Sequence, residues 1–334
     1  TSGGTGNIST TTATDSAGNK VTVTTNKKTG EVTRTTKAPD GTTGTVVTDK
    51  NGKIMEISAQ VSAAAAAESA KTGKAVTLPV EVPAADSVSN AAKIKIDLPA
   101  NSGSVKVEVP AETVTSGTVA VIIHADGTQE IVKTSVVSEN GIALTLAEDA
   151  TVVLVDNAKE FGDTHNHWAA DAIDFVTARE MFAGTSASTF SPNSAMTRAM
   201  LMVVLARFDD HDTAVDTGEA WYAEGMAWAV ENGISDGSNP DATITREQLV
   251  TMLWRYAGSP ESSYSLGSFR DQGEVADYAE TAMAWAVEHG IVCGTSATTL
   301  SPADASTRAQ LATILMRFCD AQMGNGGHGV IPDK

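Results

Sequence analysis

Three arginines stand at the same place in three similar stretches: Thr197-Arg198-Ala199-Met200, Thr245-Arg246-Glu247-Gln248 and Thr307-Arg308-Ala309-Gln310. Each stretch opens an apolar run at helical spacing: Leu201, Val204, Leu205 and Phe208; Leu249, Met252, Leu253 and Tyr256; Leu311, Ile314, Leu315 and Phe318. Threonine at a helix start accepts a backbone N–H, and Gln248 and Gln310 complete capping boxes. Helix capping does not explain the arginine, whose charge opposes the dipole at a first turn. A guanidinium presents a planar fork that grips a carboxylate through paired N–H bonds. Arg198, Arg246 and Arg308 are therefore the candidate anion-binding residues. A second arginine (Arg207, Arg255, Arg317) follows nine positions later. At 100° per residue it faces away from the first, so these three are assigned to salt bridges inside the folded unit.

The similarity extends upstream of each helix. In order the copies read Asp163, Trp168, Gly184; Asp216, Trp221, Gly237; Asp271, Tyr278, Gly294. From Tyr278 to Cys319 the third copy lies 110 positions after the first without a gap. The unit is about fifty residues long, and internal periodicity of this length decides architecture before single residues do. Trp168, Trp221 and Tyr278 are aromatic faces or core. Asp163, Asp216 and Asp271 accept ligand hydroxyls or cap the first helix. Gly184, Gly237 and Gly294 admit close backbone approach or end a helix in an αL turn.

Residues 160–334 hold 24 acidic residues against eight arginines and one lysine, a net of −15; residues 1–159 carry −3. Such an acidic half repels nucleic acid and anionic lipid. No run of eighteen apolar residues occurs, so no membrane-spanning helix is expected. The chain opens Thr-Ser-Gly-Gly with no signal-like segment, and reads as a fragment of a longer surface protein. His165-Asn166-His167 has no third ligand at useful spacing, so no metal and no cofactor are expected. Cys293 and Cys319 allow one bridge or two free thiols; if the two helices of the third copy run antiparallel, the sulfurs fall at opposite ends, beyond bonding reach, and free thiols are expected.

These residues resemble the S-layer homology (SLH) family: Phe161-Gly-Asp163, Trp168-Ala-Ala, Gly184-Thr with Phe190-Ser-Pro192, and Thr197-Arg-Ala. The resemblance covers roughly residues 160–320. It implies an all-α, pseudo-threefold bundle of three repeats that binds the pyruvylated secondary cell-wall polymer and tethers a secreted protein at the cell surface, without catalysis. It also implies grooves between neighbouring repeats. Two departures stand out. No copy has the glutamate expected after Thr-Arg-Ala. The second copy is five residues shorter between Gly237 and Thr245 and lacks the Ser-Pro loop. One or two competent grooves are expected.

The rest of the chain reads as β-rich. Residues 1–15 are expected as a flexible linker and 16–60 as a β-hairpin meander, with turn glycines Gly18, Gly30, Gly41 and Gly52. Residues 61–74 form one Ala-rich helix, capped by Ser62 and ended at Gly73. Residues 75–157 form a small β-sandwich or barrel, with strands that include Ala75–Val82 and Glu130–Val137. The copies are placed at 158–211, 212–258 and 259–322, before a disordered tail at 323–334. An enzyme with its site in the β-half, or a self-assembling surface lattice, is the competing expectation.

Overall fold

Alternating valine and threonine between glycine turns dictates the first part of the chain. The computed structural model describes residues 7–324. Five strands follow as antiparallel hairpins: β1 (Ile8–Thr14), β2 (Lys20–Asn26), β3 (Val32–Lys37), β4 (Thr43–Thr48) and β5 (Ile54–Gln60). Each connecting turn is closed by a side-chain oxygen of Asp15, Asn26, Asp40 or Asp49 that accepts the N–H two residues on, with glycine at positive φ behind it. The expected linker is corrected over Ile8–Thr14. This stretch pairs residue for residue with β2, and threonine hydroxyls meet across the ladder at 3.3 Å for both Thr10–Thr24 and Thr12–Thr22. β-branched residues favour such a ladder even without a core beneath them. Residues 1–6 lie outside the described range.

Helix α1 (Ala63–Thr72) begins and ends as its sequence dictates. Ser62 Oγ accepts from Ala65 N at 3.0 Å, and Gly73 closes the helix in the αL conformation. Eight strands follow: β6 (Val76–Thr77), β7 (Ile94–Asp97), β8 (Val105–Pro110), β9 (Thr118–Ile123), β10 (Gln129–Ile131), β11 (Val136–Val137), β12 (Gly141–Leu146) and β13 (Ala150–Asp156). They form two sheets, ordered β1-β2-β3-β4-β5-β7-β13-β9-β10 and β11-β12-β8-β6. The core lies between Ile57, Ile94, Ile96, Val152 and Leu154 of the first sheet and Val105, Val107, Val109, Ile142 and Leu144 of the second.

The meander is therefore not separate from the sandwich. β5 pairs in parallel with β7, Ile57 opposite Ile94, because Ile57 and Ala59 of its second half face the core and are buried. Two expected strands are also cut short. Pro79 and Pro83 remove ladder donors after β6, so Leu78 and Val82 bond singly to Glu108 and Pro110. A turn at Val132–Ser135 divides β10 from β11 and sends them to different sheets.

The chain separates into two compact units, Thr1–Asn157 and Ala158–Lys334. In the second unit the helices are α2 (Ala170–Ala178), α3 (Arg198–Phe208), α4 (Ala223–Glu231), α5 (Arg246–Tyr256), α6 (Glu280–Glu288) and α7 (Arg308–Met323). α7 runs through Met323 and Gly324 caps it, so the expected tail is corrected over these two residues; residues 325–334 lie outside the described range. Helix α3 packs on α4, α5 on α6, and α7 on α2. Each copy's second helix thus meets the next copy's first helix, and the last returns to the first.

Two junctions close this arrangement. Met196 N donates to Ser306 O (2.8 Å), Ser306 N to Ile244 O (3.0 Å) and Ile244 N to Met196 O (3.0 Å). The final apolar residues of the three runs, Phe208, Tyr256 and Phe318, meet with ring centroids 5.5, 6.0 and 6.2 Å apart. Cys319 is buried at the end of α7 and no disulfide joins it to Cys293.

In the first unit the chain crosses over β4 at one point. A Cβ on Gly44 would strike the Val80 side chain and the Pro79 carbonyl, the latter at 2.8 Å. Gly44→Ala should therefore cost about 1–3 kcal/mol, as overpacking does, read as a lower urea midpoint at unchanged m-value. Gly52→Ala, where a Cβ meets nothing within 4 Å, supplies the comparison for turn strain alone.

Candidate functional site

Each of the three candidate arginines opens a helix whose first amides are capped by another copy. Arg198 N and Ala199 N donate to Ala242 O and Pro240 O, Arg246 N and Glu247 N to Asp304 O and Pro302 O, and Arg308 N and Ala309 N to Ser194 O and Pro192 O. The threonine and glutamine caps form as the sequence dictates, with full capping boxes at Thr245 and Thr307.

The guanidinium groups reach onward into the same neighbouring loops. Arg308 Nε donates to Phe190 O (2.7 Å) and a terminal nitrogen to Ala183 O (2.7 Å). Its guanidinium lies 4.2 and 4.4 Å from the ring centres of Phe182 and Phe190. Arg246 Nε donates to Leu300 O (2.9 Å). Arg308 is 5% exposed and Arg246 1%. Burial lowers the Arg308 guanidinium to about 10, although Asp163 acts to raise it. Both side chains tie one copy to the loop of the next.

Arg198 makes the same first bond, Nε to Ser238 O at 2.9 Å. The loop it meets is the short one, without the aromatic roof that covers Arg308. Its outer edge instead reaches Ser235 Oγ (3.3 Å) and Asp236 Oδ1 (3.0 Å), and 16% of the side chain stays exposed. It lines an open groove of about 300 Å³ with Asp236, Gln248, Thr251, Met252, Arg255 and Tyr278. The groove is built from all three copies: Arg198 and Tyr278 come from the first and third, the rest from the second.

One helix cannot aim both of its arginines at one place, which is why spacing alone points Arg255 to a salt bridge. Two helices can. Arg255, at the end of α5, donates to Ile234 O (3.2 Å) and lines the groove opened by Arg198 at the start of α3. Tyr278 is 52% exposed, and its hydroxyl donates to Glu247 Oε1 at 3.0 Å. Burial, then the Glu247 carboxylate, pushes the phenol up to about 12. The remaining second arginines differ: Arg207 Nε donates to Thr213 (3.0 Å) and Arg317 is buried.

The other predicted residues do not line the groove. Asp163 binds its own copy's loop, accepting from Phe190 N (2.9 Å) and Ser191 N (2.7 Å), and Asp271 does the same at Leu300 and Ser301. Ser191 and Ser301 sit at positive φ, so these carboxylates stabilise strained loop backbone rather than cap the first helix. Asp216 is exposed and makes no such bond among the described residues; the second copy lacks the loop it would hold. A Cβ on Gly184 would meet Phe161 and two carbonyls, and one on Gly294 two carbonyls at 2.5 and 2.7 Å. Both glycines serve loop packing. Gly237 takes positive φ after α4. Trp168 is half-buried against His167, and Trp221 is 51% exposed. His167 contacts Asn193 Oδ1 and Ala169 N, each at 3.2 Å.

Residues 160–199 and 268–312 match the family model of the S-layer homology domain. These segments span most of the first copy and much of the third; the shortened second copy falls outside both. The chain is 28% identical over 172 residues, 47% of its length, to an amylopullulanase of Thermoanaerobacterium thermosulfurigenes. It is 29% identical over 174 residues (48%) to an endoglucanase of Bacillus sp. (strain KSM-635), and 24% over 184 residues (50%) to the surface-layer 125 kDa protein of Lysinibacillus sphaericus. The matches span 9, 18 and 16% of those proteins, so the chain covers under a fifth of each relative.

Arg308→Ala should destabilise the second unit by about 2–4 kcal/mol, since two carbonyls lose their charged donor and the ring slot is left empty. Arg198→Ala should cost less, about 1–2 kcal/mol, since one carbonyl, Ser238 O, loses its charged donor while the pair with exposed Asp236 adds little. Paired urea titrations check the order. A pH series gives a second check. The Phe190 amide, then Ser191, holds Asp163 below the usual carboxylate range; at Asp271 burial opposes the Leu300 and Ser301 amides, which prevail. Depressed folded-state values give stability that is full above the unfolded carboxylate value of about 4 and fades as pH falls through the folded values. Asp163→Asn should flatten that acid limb, measured as urea midpoint against pH.

Proposed function

We propose that residues 158–322 are a pseudo-threefold module of three SLH copies that anchors a secreted protein, non-covalently, to the bacterial cell envelope. Its ligand is an anionic saccharide of the secondary cell wall, with a pyruvate ketal as the carboxylate-bearing group. The carrying observation is the groove of Arg198, Arg255 and Tyr278: two guanidiniums and a half-exposed aromatic ring, converging from three copies, in a half of the chain with net charge −15. Arginine forks suit a carboxylate, and an aromatic ring offers a flat face to a sugar. Two relatives bear the names of polysaccharide-cleaving enzymes and one that of a surface-layer protein, yet all match this chain over a small part of their length. A portable tether accounts for that distribution. The module makes and breaks no bond; it fixes whatever is attached to it at the cell surface.

Arg246 and Arg308 enter this reading as supports that hold the copies together. One strong groove per chain follows, with Arg198 and Arg255 as its anion contacts. Co-sedimentation with purified sacculi is the test. Binding should fall roughly tenfold or more in Arg198→Ala and in Arg255→Ala, the loss expected of a hydrogen bond to a charged group, and on sacculi stripped chemically of pyruvate. Equal retention on stripped and intact sacculi would remove the pyruvylated ligand from the proposal.

A further inference from the structure

The residue before the loop glycine is Ala183 in the first copy, Cys293 in the third and Asp236 in the second. The first copy shows what this position does. Its backbone carbonyl accepts a terminal nitrogen of Arg308 at 2.7 Å. In the second copy the matched nitrogen edge of Arg198 meets a carboxylate side chain instead, Asp236 Oδ1 at 3.0 Å. That carboxylate is 71% exposed and lines the groove beside Arg255 and Tyr278. It is oriented by its own loop, accepting from Ser238 N (3.0 Å) and Ser238 Oγ (2.8 Å). The group Arg198 would offer an incoming anion is thus engaged by an anion of the protein.

We infer that Asp236 is a built-in competitor for the ligand carboxylate: it holds the outer edge of Arg198 and must be displaced before an acidic saccharide can take that edge. The inference rests on the reading that this groove binds a carboxylate-bearing saccharide. Its consequence is selectivity. Exchange of one carboxylate for another at the same guanidinium yields little by itself. A tethered group acts at an effective concentration in the millimolar range, so Asp236 outcompetes a small free acid below that level. A saccharide that adds contacts to Arg255 and Tyr278, or a polymer that presents many acids, can displace it. The site then discriminates against simple organic acids and selects an acid carried on a sugar chain.

Asp236→Asn tests this, because the amide oxygen still accepts from Ser238 while the charge is lost. Calorimetric titration of the full chain with a glycoside bearing a 4,6-O-pyruvate ketal should show about two- to fivefold tighter binding in Asp236→Asn, the scale of an exposed ion pair removed. The methyl ester of the same ketal should show no gain. Unchanged or weaker binding of the acid by the variant overturns the inference. If neither protein binds the ketal, the saccharide reading fails on its own. Sodium acetate, followed through the Arg198 Nε–H resonance, then decides the inference: saturation at lower acetate in Asp236→Asn supports it, and identical curves overturn it.

Discussion

The helical unit depends on hydrogen bonds that no single copy can satisfy. The first amides of a helix have no partner within the helix. Here the first two of α3, α5 and α7 are satisfied by loop carbonyls of a different copy, and a separate cycle of backbone bonds links Met196, Ile244 and Ser306. At the far end of the helices Phe208, Tyr256 and Phe318 share one aromatic contact. Removal of any copy would leave one remaining helix start open and would break the shared aromatic contact. The three copies therefore fold as one unit, although each is short enough to look like an independent hairpin in sequence.

This cycle also explains why arginine recurs where the helix dipole disfavours it. The side chain continues the work of the backbone: all three Nε atoms donate to a carbonyl of the loop that caps their own helix. Where the loop is long the guanidinium is buried, under Phe182 and Phe190 at Arg308, and the charge is held in the interior against a desolvation cost. Where the second copy's loop is short, the same arginine keeps its bond and reaches the surface. Access at Arg198 is the result of deleted loop residues. The device costs the unit one roofed arginine and gives it a groove.

Much of this was legible in the residues. Ser62, Gly73, Thr197, Thr245 and Thr307 act locally, through bonds three or four positions away, so sequence alone places them. The spacing of apolar positions likewise located α3, α5 and α7. What escaped was non-local. The role of Asp163 and Asp271 depends on a loop nearly thirty residues on. The pairing of β5 with β7 spans more than thirty residues and joins two regions that composition had divided. The threonines of β1 looked like linker because solvent-exposed strands carry no apolar signal. Arg255 was set aside by sound geometry applied to one helix, when the site draws on two. The one visible sign of the groove was the shortened second copy, with an aspartate before its glycine.

Charge sets the final constraint on how such a groove can work. The −15 carried by residues 160–334 repels an anionic polymer at long range, yet that field is screened beyond about 8 Å at physiological ionic strength. For the proposed ligand, attraction would therefore have to come from contact distance, where Arg198 and Arg255 would outweigh the distributed carboxylates through direct donor contacts. Steering would contribute nothing favourable to the proposed complex, so residence time would have to supply its affinity. A wall-bound polymer suits that regime: its acids are fixed at high local density, and release from one leaves the next within reach. Weak repulsion at a distance with a short-range cationic groove is a sensible arrangement for a tether, since it suppresses loose association with polyanions and keeps only the docked complex.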